Sequence, residues 1–193
     1  MCSTSSMPAA ANCSLAGGVL RVLVADAADL VLDGLTPSFT ITNTGLTRHQ
    51  ITAIAAGLDW YELKFDKSRD ASAGAENTRG GAASFTHTVS VLTSTGDFAT
   101  QRALIDLQNC CGYVALVKHA DGNWAMYGLN YSIGDGSYDS ADMKVKYDFN
   151  TGAKRADEAA GGTIALSSTN VNFTWLPVSP AAAAGVTVVA YAP

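Results

Sequence analysis

The sequence predicts a mainly β protein, a β-sandwich or small barrel with one flanking α-helix. Three observations predict it. Short segments with period-two alternation of apolar and polar residues recur along the chain. Only one stretch carries helical periodicity. Clusters of Gly, Asn, Asp and Ser separate the segments, which is the turn chemistry of an all-β chain. The 193 residues suit one domain with arms, and a 48% apolar composition is enough for a sizeable core.

Residues 1–17 are small and polar and read as an N-terminal arm. Residues 19–25 (VLRVLVA) are short and β-branched, a buried strand. Residues 38–42 and 50–55 are further short strands. In 58–66 (LDWYELKFD), Tyr61, Leu63 and Phe65 share one face and Glu62, Lys64 and Asp66 the other. Residues 67–83 (KSRDASAGAENTRGGAA) show no periodicity and read as a long loop. Alternation resumes at Ser84, with Phe85, His87, Val89 and Val91 on one face, so the loop joins two strands as in an extended hairpin.

Residues 97–111 (DFATQRALIDLQNCC) form the predicted helix. Thr95 or Asp97 caps its start, Gly112 suits its end, and Phe98, Leu104, Ile105, Leu107 and Cys111 make its apolar stripe. Residues 112–129 (GYVALVKHADGNWAMYGL) follow as a central hairpin. Asp121-Gly122 between two apolar runs predicts a two-residue type I′ turn, which pairs Val117 with Met126 and Leu116 with Tyr127. Both faces are largely apolar, so the hairpin is expected to be covered on each side. Residues 132–141 form a loop. Met143, Val145, Tyr147 and Phe149 alternate with Lys144, Lys146 and Asp148 in a further strand. Residues 150–161 are a loop, and 162–166 and 170–175 are expected to be paired strands. Residues 177–193 combine prolines, an alanine run and an apolar end, and read as a C-terminal arm flanking a domain of residues 18–176.

Composition and motifs exclude much. A net charge of −5 gives no reason to expect a duplex-gripping groove. No apolar run approaches the ~20 residues of a membrane span, and MCSTSSMPAAANCS lacks the basic start and apolar centre of a secretory leader. Cys2, Cys13, Cys110 and Cys111 show no disulfide or zinc spacing and read as thiols in a reducing compartment. The sequons at Asn12, Asn130 and Asn172 are then coincidental. His49, His87 and His119 lack ligand spacing. Asp135, Asp139 and Asp142, like Asp26, Asp29 and Asp33, read as turn chemistry and not as calcium ligands. No nucleophile-elbow, Walker or dinucleotide motif occurs, and Cys110-Cys111 sits at the wrong helix end for a thiolate. No catalytic residue, metal or cofactor is expected.

Several stretches together resemble the tail tube proteins of tailed bacteriophages. They are Leu15-Ala-Gly-Gly-Val-Leu-Arg-Val-Leu-Val-Ala-Asp with Ala28-Asp29-Leu30, then Tyr61-Glu62-Leu63-Lys64-Phe65, the polar loop and 85–92. The helix follows, then the hairpin 113–128, Thr151-Gly152 and 162–175, with Pro177 soon after. The order and spacing cover most of residues 15–177. The chain departs from the family at Leu129-Asn130-Tyr131, at Asn170 and Asn172, and in the alanine-rich tail.

The resemblance implies a structural virion protein and no enzyme. Such subunits form stacked hexameric rings, each protomer lending strands to a shared inner barrel that conducts DNA. Its partners would be further copies, the tape measure, terminator and sheath proteins, and transiently DNA, with no stable membrane association. The place of action would be the virion tail, after assembly in the host cytoplasm. Inter-subunit contacts are expected in the polar loop and the tail, at Arg69, Asp70, Glu76, Asn77, Arg79, Val186, Val188 and Tyr191. The alternatives are a neck or tail-completion ring of the same virion, or an extracellular β-sandwich binding glycans on Trp60 or Trp124. Self-assembly through unfinished extremities requires that the tail and 67–83 stay outside the chain's own core; a tail folded home would count against it.

Overall fold

A computed structural model describes residues 18–32, 36–43, 49–65, 71–77, 84–93, 112–132, 136–148 and 162–189. The predicted helix over 97–111, the N-terminal arm and all four cysteines lie outside the described residues.

The first strand, Val19–Asp26 (β1), ends where the Asp26 carboxylate accepts the Ala28 N–H at 2.8 Å, capping a short 3₁₀ turn. Phe39–Asn43 (β2), His49–Ile54 (β3) and Asp59–Leu63 (β4) follow near their predicted places. Next come Ala71–Asn77 (β5) and Phe85–Thr93 (β6). The central hairpin is Tyr113–His119 (β7) and Trp124–Tyr127 (β8). Leu129–Tyr131 (β9) and Tyr138–Ser140 (β10) make a small two-stranded unit. Lys144–Asp148 (β11) and Gly162–Val171 (β12) precede the C-terminal segment of Leu176–Val178 (β13), Pro180–Ala184 (α1) and Thr187–Val189 (β14).

Eight strands form one sheet in the order β14-β4-β1-β7-β8-β13-β3-β2, and four form a second in the order β11-β12-β6-β5. The larger sheet has to curl. Five strand steps separate β3 from β4, about 24 Å if the sheet were flat. Yet only residues 55–58 connect them, and Ile54 to Asp59 spans at most about 17 Å. The sheet therefore closes on itself as an incomplete barrel.

The central hairpin separates two cores. Inside the curl lie Leu23, Phe39, Ile51, Trp60, Leu116, Met126 and Leu176, with Ala182 and Ala183 of α1. Between the curled sheet and the four-stranded sheet lie Val22, Val24, Ala115, Val117, Tyr127, Val89, Val91, Ile164 and Leu166. The expected cover on both faces of the hairpin is present.

Its register is not the expected one. Lys118 pairs with Trp124, Val117 with Ala125, Leu116 with Met126 and Ala115 with Tyr127. Only Gly122 has positive φ, at 88°, and its N–H bonds the His119 carbonyl at 2.9 Å. The turn thus has three residues, 120–122, ending in a left-handed glycine, and not the two of a type I′ turn. The one-residue slip sends Met126 into the barrel and Tyr127 to the inter-sheet core, the reverse of the partners expected.

Four further expectations need correction. Residues 71–77 are not loop: they pair in unbroken register with β6, from Ala71 opposite Val91 to Asn77 opposite Phe85. The two strands expected to flank a hairpin loop do not pair; β4 joins β1 and β14, while β6 joins β5 and β12. Residues 162–171 form one strand, and the residues after Val171 cross to the other sheet instead of turning back to pair. Finally, the tail is no arm through Val189. β13 inserts between β8 and β3, Ser179 caps α1 with Pro180 in its first turn, and β14 adds to β4 in parallel. Its apolar residues cover the curled sheet's own core, which is cheaper than leaving them in water.

Candidate assembly surface

The four-stranded sheet has two unlike faces, and its register sorts them. Inward-facing rows run Val145–Leu166–Val89–Ala73 and Ser168–His87–Ala75 across the strands. The outward rows run Lys144–Ser167–Thr88–Gly74 and Lys146–Ala165–Ser90–Ser72, with Thr86 beside Glu76. Ser72, Gly74, Glu76, Thr88, Lys144, Lys146 and Ser167 are exposed. This outward face is built of small hydroxyl-bearing side chains, with few charges.

The sheet's two edges also differ. β11 carries Lys144 and Lys146, both on the outward face of the sheet. β5 (ASAGAEN) has no proline, no lysine and no bulge, and Glu76 is its one charge. Among the described residues no strand lies outside it. A seven-residue edge in unbroken register, with no strand beyond it among the described residues, is a template for another strand. The larger sheet's edges are better finished. β2 carries a register irregularity between Thr40 and Ile41, and the Tyr138 hydroxyl accepts the Phe39 N–H at 3.0 Å. β14 has three residues, of which Val188 is 38% exposed.

Of the residues expected at subunit contacts, Glu76 is exposed on β5 and Asn77 ends that strand. Val188 is exposed on β14, whereas Val186 packs partly buried against the barrel core. Arg69, Asp70, Arg79 and Tyr191 lie outside the described residues. The structure thus places Glu76 and Asn77 on one sheet and Val186 and Val188 on the other, and does not gather them. The sequence missed the Ser and Thr rows of β6 and β12, although the alternation in 84–92 already set Thr86, Thr88 and Ser90 opposite the apolar face.

Trp60 is fully buried, with no exposure, so it cannot be the glycan platform considered from the sequence. Trp124 is half-buried, with the Lys118 ammonium 5.7 Å from its ring.

The histidines are committed to the fold. His87 is buried; its Nδ1 accepts the Gly128 N–H at 3.0 Å and its Nε2 lies 2.9 Å from the Phe173 carbonyl. Burial lowers its pKa, against a smaller raising effect of the Phe173 carbonyl. Burial likewise lowers His119, although Asp121 opposes it, and pushes the Tyr127 phenol up. Tyr127 and His119 meet at 3.2 Å, and His49 Nδ1 lies 2.6 Å from the Tyr131 hydroxyl. Asp121 is held below the usual carboxylate range chiefly by the Asn123 N–H. Asp139 and Asp142 accept hydrogen bonds from Ser140, the turn chemistry read from the sequence; Asp33 and Asp135 lie outside the described residues. Among the described residues, no group of three or more His, Cys, Asp or Glu side chains is placed to hold a metal ion. No helix among them is long and apolar enough to cross a membrane.

No protein-family model, curated protein or solved structure matches the chain.

Proposed function

We propose that the chain is a self-assembling, non-enzymatic virion protein: a tail tube subunit whose four-stranded sheet is its share of a common inner barrel. The single observation that carries this reading is the pairing, on one sheet, of an unguarded edge with a small, hydroxyl-rich outward face. The fold of the tail, and the packing of Ala71, Ala73 and Ala75 into the inter-sheet core, both argue against assembly through extremities left outside the core, so that expectation is withdrawn. Assembly is assigned instead to β5.

An even number of strands matters here. With four antiparallel strands per copy, β5 of one copy meets β11 of the next in antiparallel sense, and the alternation continues around a ring. Six copies would give a barrel of roughly 24 strands. At ~4.8 Å spacing and ~40° tilt its backbone diameter is roughly 48 Å, which leaves room for hydrated duplex DNA. The outward face would then line the channel. Its Ser and Thr side chains offer a duplex no cation, whereas Lys144 and Lys146 of each copy would also face the channel, offset in part by Glu76, so contact with DNA would be weak and salt-dependent.

Electron microscopy of the purified protein tests this. Rings or tubes are expected, and a copy number of many rings per virion separates a tube from a neck or tail-completion ring. Dispersed monomers under all conditions, tail partners included, would overturn the proposal.

A further inference from the structure

We propose that His87 is an acid-sensitive clasp: only as the neutral imidazole does it hold the four-stranded sheet to the strand break of the barrel at Gly128. This inference rests on the geometry of one side chain and is independent of the assembly just described.

His87 stands on β6, in the four-stranded sheet, and both of its ring nitrogens reach backbone of the other layer. Nδ1 accepts from the Gly128 N–H, at the break between β8 and β9. That bond requires a lone pair on Nδ1, so the single proton of the neutral ring lies on Nε2 and is donated to the Phe173 carbonyl. Phe173 belongs to the crossing from β12 to β13, which carries the chain from one sheet to the other. One ring therefore ties together the strand break and the crossover.

Protonation of Nδ1 destroys this arrangement. The imidazolium has two N–H donors and no acceptor, so an N–H would point at the Gly128 N–H. Among the described residues no carboxylate faces the ring to compensate, and the one acceptor in register with it is the neutral Ser168 hydroxyl. From β8 comes the Tyr127 ring, edge-on with centroids 5.6 Å apart, its phenol kept neutral by burial. From β5 and β12 come Ala75 and Ser168, in register with His87. Glu76 on β5 falls on the opposite face, opposite Thr86. The next titratable group, His119, lies beyond the Tyr127 hydroxyl. No charged side chain among the described residues contributes to the His87 shift, which arises from burial and the Phe173 carbonyl alone.

Gly128 cannot move away freely. Its φ is +87°, and the Met143 side chain and the Tyr113 carbonyl crowd the space where a Cβ would stand. The crossover around Phe173 is tethered too: the Asn172 N–H is held by the Asn130 side chain at 3.1 Å, and the Phe173 ring rests edge-on against Tyr131 and His49. Protonation therefore breaks the bond from Gly128, keeps the Nε2–H bond to the Phe173 carbonyl, and leaves the sheet pairing of β5, β6 and β12 intact.

The sign of the linkage follows. A histidine that is neutral in the fold and charges more readily when unclasped stabilises fully above about pH 6.5, and below that each pH unit shifts opening by up to tenfold. Two measurements test this on the full chain. Hydrogen exchange, corrected for the intrinsic pH dependence, should show amides of 126–130 losing protection between pH 7 and 5, while β5, β6 and β12 stay protected. The loss should be absent in His87→Gln, whose amide can accept and donate as the neutral ring does but cannot charge. An equal acid response in that variant would overturn the clasp. Nitrogen NMR of the wild-type protein decides the matter even if the variant fails to fold. The expected result is an unprotonated Nδ1 for as long as the Gly128 amide is protected. A protonated Nδ1 beside a still-protected Gly128 amide would overturn the proposal.

Discussion

The seam proposed between β5 and β11 can be attacked at Gly74. This residue is central in β5, faces outward and is exposed, and an added Cβ there meets nothing within 4 Å. Gly74→Lys should therefore be accommodated by the isolated subunit, with stability unchanged or slightly raised, because glycine is a poor strand residue. In the assembly the new ammonium would face the neighbour's Lys144 and Lys146. At ~6 Å, two like charges repel by about 0.7 kcal/mol in bulk water and about 3 kcal/mol at an effective dielectric constant of 20. A penalty of about 1–3 kcal/mol raises the concentration needed for assembly roughly 5- to 150-fold. Sedimentation velocity across a concentration series reads this directly, and 1 M salt should recover part of the loss. Gly57→Lys is the matched control, since Gly57 is also exposed and unobstructed but lies in the β3–β4 turn. If Gly74→Lys assembles like the wild-type chain while the control does too, β5 is not at the seam. Were Gly74→Lys to unfold at markedly lower denaturant, the supposed openness of the site would be wrong.

Other perturbations bear on the fold itself. Gly128→Ala would place a Cβ 2.8 Å from Met143 Cγ and 3.1 Å from the Tyr113 carbonyl oxygen, at positive φ. A loss of about 2–4 kcal/mol is expected in urea unfolding, and a loss below 1 kcal/mol would contradict the close approach. Truncation after Trp175 removes the buried side chains of Leu176, Val178, Ala182 and Ala183 from the barrel core. The two larger ones alone account for about 3–6 kcal/mol, a large share of a domain's net stability, so the shortened chain should lose its cooperative transition in calorimetry. A near-native transition would mean the tail is a dispensable arm after all. The ion pair of Arg21 with Glu62, at 2.8 Å on the surface between β1 and β4, should matter little. Arg21→Ala is expected to cost under ~1 kcal/mol in the same urea experiment, because exposed pairs gain little over water.

Much of the fold was legible because it rests on large apolar side chains. The β1 run, the alternation of Tyr61, Leu63 and Phe65, and that of His87, Val89 and Val91 all reappear as predicted faces. The features that escaped lack such markers. In β5 the core positions are Ala71, Ala73 and Ala75, and alanine carries almost no strand preference. The period of two is present in ASAGAEN but is written in residues of nearly equal size. The hairpin slip had a different cause. Asp-Gly is compatible with two turn lengths, and the Asp121 carboxylate, which accepts the Asn123 N–H at 2.9 Å, supports the longer one. Local chemistry narrowed the register to two choices, and the demand that Met126 enter the barrel while Tyr127 packs by His87 selects between them.

The tail teaches the more consequential lesson for function. An apolar, proline-punctuated terminus has two ways to leave water, a neighbour's surface or its own, and the sequence pattern is the same for both. Here Ser179 and Pro180 start a helix that carries the chain across the barrel, and β14 caps β4. With the apolar end of the chain used on itself, the open backbone edge of β5 is what the four-stranded sheet offers a neighbour among the described residues. Hydrogen-bonding edges with small side chains can join and part without exposing a large apolar surface in the free subunit. A structural protein that must stay dispersed until it is recruited needs that property, and assembly through β5, as proposed above, would supply it.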